Sequence, residues 1–170
     1  EAGYVGISQD ELAAWLSGYD SSSITIGVVA SHSSLQILHG ARAEGFRTLG
    51  IAVGENRRRY YKAFPGAEPD EWLMLEDYRE LLDQAEWLRK RNVIIIPHGS
   101  LVEYLGAENF RNLEVPTFGN RGILKHESSR QSQRDWLEAG GCTMPKLIID
   151  PHDIDGPVIV KYAGAKGGRG

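Results

Sequence analysis

Apolar and polar positions along the chain alternate between two rhythms. ITIGVVA (Ile24 to Ala30) and NVIIIP (Asn92 to Pro97) are nearly unbroken apolar runs of strand length. Such runs predict strands covered on both faces, as in a parallel sheet. TLGIAV (Thr48 to Val53) and WLML (Trp72 to Leu75) are further strand candidates. Between them the period changes to that of a helix. LQILHGARAEG places Leu35, Leu38 and Ala41 on one face with Gly45 as a stop, and Tyr78, Leu81, Leu82, Ala85 and Leu88 predict an amphipathic helix. At the front, Ser8 and Glu11 fit a capping box, followed by the stripe Leu12, Trp15 and Leu16, with Gly18 to end the helix. Strand, helix and strand within some thirty residues make a βαβ unit. Residues 8 to about 120 therefore read as a small three-layer α/β domain. A short apolar helix near Leu101 to Leu105 and the segment VPTF (Val115 to Phe118) complete it, and Arg121 to Ala139 reads as a polar helix closing at Gly140 and Gly141. PVIVKY (Pro157 to Tyr162) reads as one more strand, leading into a glycine-rich end with nothing after it to pair with. A partial sequence is the expected explanation.

Composition narrows the classes. The 170 residues are 41% hydrophobic and 25% charged, ordinary globular values that disfavour disorder and coiled coil. No apolar run approaches the roughly 20 residues that span a bilayer, so no membrane partner is expected. One cysteine, Cys142, excludes an internal disulfide and suits a reducing cytoplasm. A formal net charge of −4 argues against broad nucleic-acid binding. Any anionic ligand must be held by local groups.

Two polar turns fall where open α/β sheets bind ligands, at the carboxyl ends of strands. Ser31, His32, Ser33 and Ser34 join the first strand to its helix, and His98, Gly99 and Ser100 follow the Ile94 to Ile96 run. Hydroxyls and free amides at a helix N-terminus form an anion site without lysine. Helix capping alone accounts for Ser31 or Ser33, and a polar turn with a second cap accounts for His98 and Ser100. A cap gains nothing from the imidazole of His32. Whether the two turns meet depends on strand adjacency, which the sequence leaves open. GAKGGRG fails the pattern G-x-x-x-x-G-K-[ST] and is not G-x-G-x-x-G. With Lys161 it could hold a nucleotide's phosphates from two sides. His126-Glu127 lacks the second histidine of a zinc peptidase, turn chemistry explains Asp150, His152, Asp153 and Asp155, and Arg57 to Tyr61 reads as a solvated basic loop. His39 reads as structural, and Cys142 has no evident activating base.

SHSSLQILHGARAEGF, VIIIPHGSLVEY, VPTFGNRGILKHESSR and DIDGPVIVKYAGAKGGRG, in this order, resemble the archaeal formate-dependent FAICAR synthetases, formate–AICAR ligases of the ATP-grasp superfamily. The likeness covers most of residues 8–170 and is weaker over 57–75 and 128–146. It implies a Rossmann-like, parallel-sheet pre-ATP-grasp domain over residues 1–122. Residues 123–170 would be a connecting helix and the truncated start of an ATP-grasp domain. It further implies an ATP- and formate-dependent, cytoplasmic, homo-oligomeric ligase that converts AICAR (aminoimidazole carboxamide ribonucleotide) to FAICAR in purine biosynthesis. AICAR, formate and ATP would be its partners, with Mg2+ or Mn2+. Carried over residue by residue, His32 and Ser100 match AICAR contacts, with Ser33 beside them and Asn120 and Arg121 on the substrate side. Arg121 could equally pin a loop. Lys161, Lys166, Gly167, Gly168 and Arg169 match the start of the nucleotide site. His126 stands where an aromatic is expected. The acidic residues that would hold the metal are not in this segment, which alone should not catalyse. A ligase for a related ribonucleotide or carboxylate, and a non-catalytic AICAR- or ATP-binding module, are the competing readings.

Overall fold

The computed structural model describes residues 6–127 and 129–161. They belong to two compact units, Glu1–Arg121 and Gly122–Gly170.

The first unit is built on a parallel sheet of β1 (Thr25–Val29), β2 (Arg47–Val53), β3 (Glu71–Leu75) and β4 (Val93–Ile95), in the order β3-β2-β1-β4. Thr25 registers with Arg47 on one side of β1 and with Val93 on the other. The chain winds outward from β1 to β3 and then crosses back to place β4 on the far side of β1. That reversal makes the β1–β4 boundary a topological switch point. The expected α/β, Rossmann-like architecture is present.

Helices cover both faces. α1 (Gln9–Ser17) starts at the predicted capping box, in which Ser8 Oγ accepts from the Glu11 amide at 3.2 Å and the Glu11 carboxylate accepts from the Ser8 amide at 2.8 Å. α2 (Ser34–Ala43) follows β1 and packs on β1 and β2. On that face Val28, Ala30, Leu38, Ala52 and Tyr61 form a core, with Leu35, Trp72 and Ile96 at its edge. The alternate strand residues Val29, Leu49, Ile51, Val93 and Ile95 are buried on the opposite face. Asp70 fixes the approach to β3, its carboxylate accepting from the Thr48 amide at 2.9 Å and from Arg42 at 3.1 Å.

Several elements differ from the sequence reading. Residues 57–61 are not a loop but the body of α3 (Glu55–Tyr61), which starts after Gly54 at φ +78°, a conformation open to glycine. The Tyr78-to-Leu88 pattern is correct as a face, with Leu81, Ala85 and Leu88 buried. It is wound as a 3-10 turn over Tyr78–Gln84 before α4 (Ala85–Arg89). Asp77 tightens the entry, accepting from the Arg79 amide through its side chain and from the Glu80 amide through its carbonyl. α5 (Gly99–Leu105) and α6 (Ala107–Arg111) follow β4. VPTF then runs beside β4, with Thr117 bridged in parallel to Ile95.

In the second unit the predicted polar helix is two pieces, α7 (Ile123–Glu127) and α8 (Arg130–Ala139), and Ser129 caps the second by accepting from the Ser132 amide at 3.3 Å. His126 fills the place of the expected aromatic by stacking on Trp136, with ring centroids 5.6 Å apart. The predicted strand PVIVKY is not a strand over its described residues 157–161. Ile159 and Val160 are more than four-fifths exposed, and a ladder needs a neighbouring strand to receive it.

Candidate functional site

β1 and β4 are adjacent, so the two polar turns converge at the switch point. This adjacency is the step that sequence alone left open. The β1 turn is organised from inside. Ser31 and Ser34 are fully buried, and Ser34 Oγ accepts from the Ser31 amide at 2.7 Å while donating to the Ser31 carbonyl at 2.9 Å. The Tyr61 hydroxyl, carried in by α3, donates to the same carbonyl at 2.6 Å and stands 3.1 Å from the Ser31 amide. Burial raises the Tyr61 pKa above its ordinary value, so the phenol stays protonated.

This internal bracing frees the outer residues of the turn. His32 and Ser33 are exposed. Ser33 occupies the position before α2 but makes no side-chain capping bond, and its hydroxyl lies 3.2 Å from Ser31 Oγ. Helix capping therefore does not account for Ser33.

The β4 turn brings His98 and Ser100. His98 Nε2 donates to the Val29 carbonyl at 2.8 Å, tying the two corners together. Because a carbonyl only accepts, Nε2 carries the proton, and Nδ1 is left as a buried acceptor without a partner among the described residues. Burial holds the His98 pKa below the ordinary histidine value, opposed by the Val29 bond, and the nearby His32 ring pushes it the same way as burial. The imidazole is thus neutral at physiological pH. Ser100 is buried in the first turn of α5.

The remaining candidates fall differently. The parallel bridge at Thr117 directs the following residues toward the same carboxyl edge, where Asn120 is exposed. Arg121 is engaged in the loop instead. It bonds Thr117 Oγ1 at 3.0 Å and the carbonyls of Phe110, Leu113 and Val115, and lies over the Phe110 ring. Those bonds pin the loop, one of the two roles expected for Arg121. Lys161 is exposed in an extended segment, and Lys166, Gly167, Gly168 and Arg169 lie outside the described residues. Among the described residues no group of three or more His, Cys, Asp or Glu side chains is placed to hold a metal. Asp150 caps the turn Pro151–Asp153, accepting from the His152 amide at 2.9 Å.

Sequence reasoning missed Tyr61, which looked like one more residue of a solvated basic stretch. The available signal was helical spacing, since Arg57, Tyr61 and Phe64 recur at i, i+4 and i+7 after a glycine.

The two polar corners thus stand at the topological switch point, where open α/β sheets place their ligand sites. The chain belongs to the family described as a protein of unknown function (DUF1246), whose pattern it matches over residues 26–148. It is 55% identical over 164 residues to a 5-formaminoimidazole-4-carboxamide-1-(beta)-D-ribofuranosyl 5'-monophosphate synthetase of Methanosarcina barkeri, a match covering 96% of this chain and 46% of that protein. The protein of the same name from Methanosarcina acetivorans is 57% identical, with the same coverage of both chains. That of Archaeoglobus fulgidus is 44% identical over 168 residues, 98% of this chain and 45% of the relative. The chain spans about half the length of the curated relatives it matches.

Proposed function

We propose that this chain supplies the ribotide-binding part of an ATP- and formate-dependent ligase that converts AICAR to FAICAR. The observation that carries the reading is the meeting of the β1 and β4 corners at the switch point, tied by the His98–Val29 bond, with His32 and Ser33 exposed on the first corner. The names of relatives matching nearly the whole chain agree with it. In the proposed reaction a formate oxygen attacks the terminal phosphorus of ATP, giving formyl phosphate and ADP. The amine of AICAR then attacks the formyl carbon, phosphate leaves with the C–O bond electrons, and the nitrogen loses a proton. Water would destroy the acyl phosphate, so the crevice must close over it.

His32 is assigned to AICAR by hydrogen bonding, Ser33 and Ser100 to the same ligand through their hydroxyls, and Asn120 to the rim. Lys161 and the glycine-rich segment from Lys166 to Arg169 belong on this reading to the ATP side. The first 122 residues form the substrate domain, and the remainder leads into an ATP-grasp domain whose acidic residues hold the divalent cation. The whole protein works in the cytoplasm as a homo-oligomer. The test is a full-length protein containing this chain, supplied with formate, ATP and AICAR and no folate. FAICAR and ADP should appear in equal amounts. ADP release without FAICAR, or formylation of a different ribotide in preference, overturns the assignment.

A further inference from the structure

Arg57 lies on α3, which follows β2, and its guanidinium reaches Tyr104 on α5, which follows β4. Its Nη2 stands 3.4 Å from the Tyr104 hydroxyl. The Tyr78 hydroxyl lies close to the same guanidinium and to the Val53 backbone. Tyr78 and Tyr104 stack with centroids 4.9 Å apart, fixing both hydroxyls. The Tyr61 hydroxyl, which braces the Ser31 corner, lies within reach of the same positive charge.

Arg57 is half-buried, and among the described residues no carboxylate lies within ion-pair distance of it. Its neighbour Arg58 does pair with Glu55, at 3.7 Å. Arg42, Arg79, Arg89 and Arg91 also have acidic partners. Arg57 is surrounded by phenols instead, and burial holds those of Tyr61 and Tyr78 in the neutral form. A partly desolvated guanidinium among neutral hydroxyls carries an unbalanced charge, which costs stability unless an anion completes it. The planar fork favours phosphate. α3 follows β2 and α5 follows β4, the two strands that flank β1, so the Arg57–Tyr104 contact links the elements on either side of the β1 corner. From the β2 corner to the β4 corner is two strand spacings, about 10 Å. A ribose carrying a phosphate at one end and a base at the other fills such a span.

We infer that Arg57, oriented by Tyr78 and Tyr104, is the phosphate anchor of this site, gripping the 5'-monophosphate of a ribotide whose base lies toward His32 and Ser100. The ribotide's identity rests on the ligase reading above; the presence of an anion subsite does not. In full-length protein, calorimetry with AICAR and with its riboside, which lacks the phosphate, separates the two. Arg57→Gln should weaken AICAR binding at least about tenfold and leave riboside affinity unchanged. Arg57→Lys, which keeps the charge, should lose less. Equal losses for both ligands, or no loss for AICAR, overturn the inference. If the unaltered protein binds neither, the ligase reading fails on its own, and inorganic phosphate becomes the probe. Phosphate should then still raise the melting temperature of the unaltered and Arg57→Lys proteins but not of Arg57→Gln. Equal protection of all three, or of none, rejects the anchor.

Discussion

Tyr61 shows how one side chain can decide the geometry of a turn that two elements, α2 and β2, separate from it along the chain. Its hydroxyl lies at hydrogen-bond distance from both the amide and the carbonyl of Ser31. Tyr61→Phe keeps the packing and removes the hydroxyl, leaving buried polar groups short of a partner. The expected cost is about 1–3 kcal/mol in urea unfolding and, on the ligase reading proposed above, weaker AICAR binding in the full-length protein. Outward from it, and on the same proposed reading, His32→Ala should weaken AICAR binding on the order of tenfold or more, because a hydrogen bond to a charged group is worth roughly 1.5–3 kcal/mol. Unchanged affinity by calorimetry would remove His32 from the site. His98 contributes a pH dependence of known sign. Its folded pKa lies below the unfolded value near 6.5, so the unfolded chain binds the extra proton first. Stability should therefore fall as pH drops below about 6.5 and level off once the folded imidazole also protonates. His98→Gln should flatten the part of the stability profile below about pH 6.5 that this group supplies. At this scale the two polar turns at the ends of β1 and β4 were legible, because polar residues directly after apolar strands stand out. Tyr61 and Arg57 were not. An aromatic among arginines has the composition of a surface, and only the path of α3 under the β1 turn makes it interior.

The elements were legible in proportion to how far each is determined by its own residues. β1, β2 and β4 are covered on both faces, and their apolar runs announce it. The stretch from Tyr78 to Leu88 kept its buried face but not its winding, since the tighter first turn is set by Asp77 at its entry. PVIVKY has strand composition, yet pairing is a property of two segments and its described residues show none. Close approach of elements leaves its own mark at Gly50, in the middle of β2. A Cβ there would stand 2.7 Å from Pro69 Cγ and 2.7 Å from Trp72 Cζ3. Both neighbours are ring atoms held by the Asp70 bonds to Thr48 and the packing of Trp72 edge-on to Tyr61. Gly50→Ala should accordingly destabilise by about 1–3 kcal/mol, visible as a lower melting temperature. An equal or higher melting temperature would show that β2 and β3 can separate more easily than their packing implies.

For the whole molecule, the distribution of buried residues is more telling than the distribution of secondary structure. Every fully buried large side chain among the described residues, from Val28 to Leu113, belongs to the unit ending at Arg121. In the unit from Gly122 onward, Leu124 is the one buried hydrophobic residue described, while Leu147, Ile149, Ile159 and Val160 are exposed. Burial of apolar area is what offsets chain entropy, so the two units should differ sharply in autonomy. The loop that precedes the boundary is closed within the first unit by the Arg121 bonds to Thr117, Leu113 and Val115. A polypeptide of residues 1–121 is therefore expected to unfold in a single cooperative transition and to retain native-like near-ultraviolet circular dichroism. Residues 122–170 alone should show no cooperative transition. A first unit that melts without cooperativity when separated would mean that its sheet depends on covering supplied from beyond Arg121, and the core assigned to it here would be incomplete.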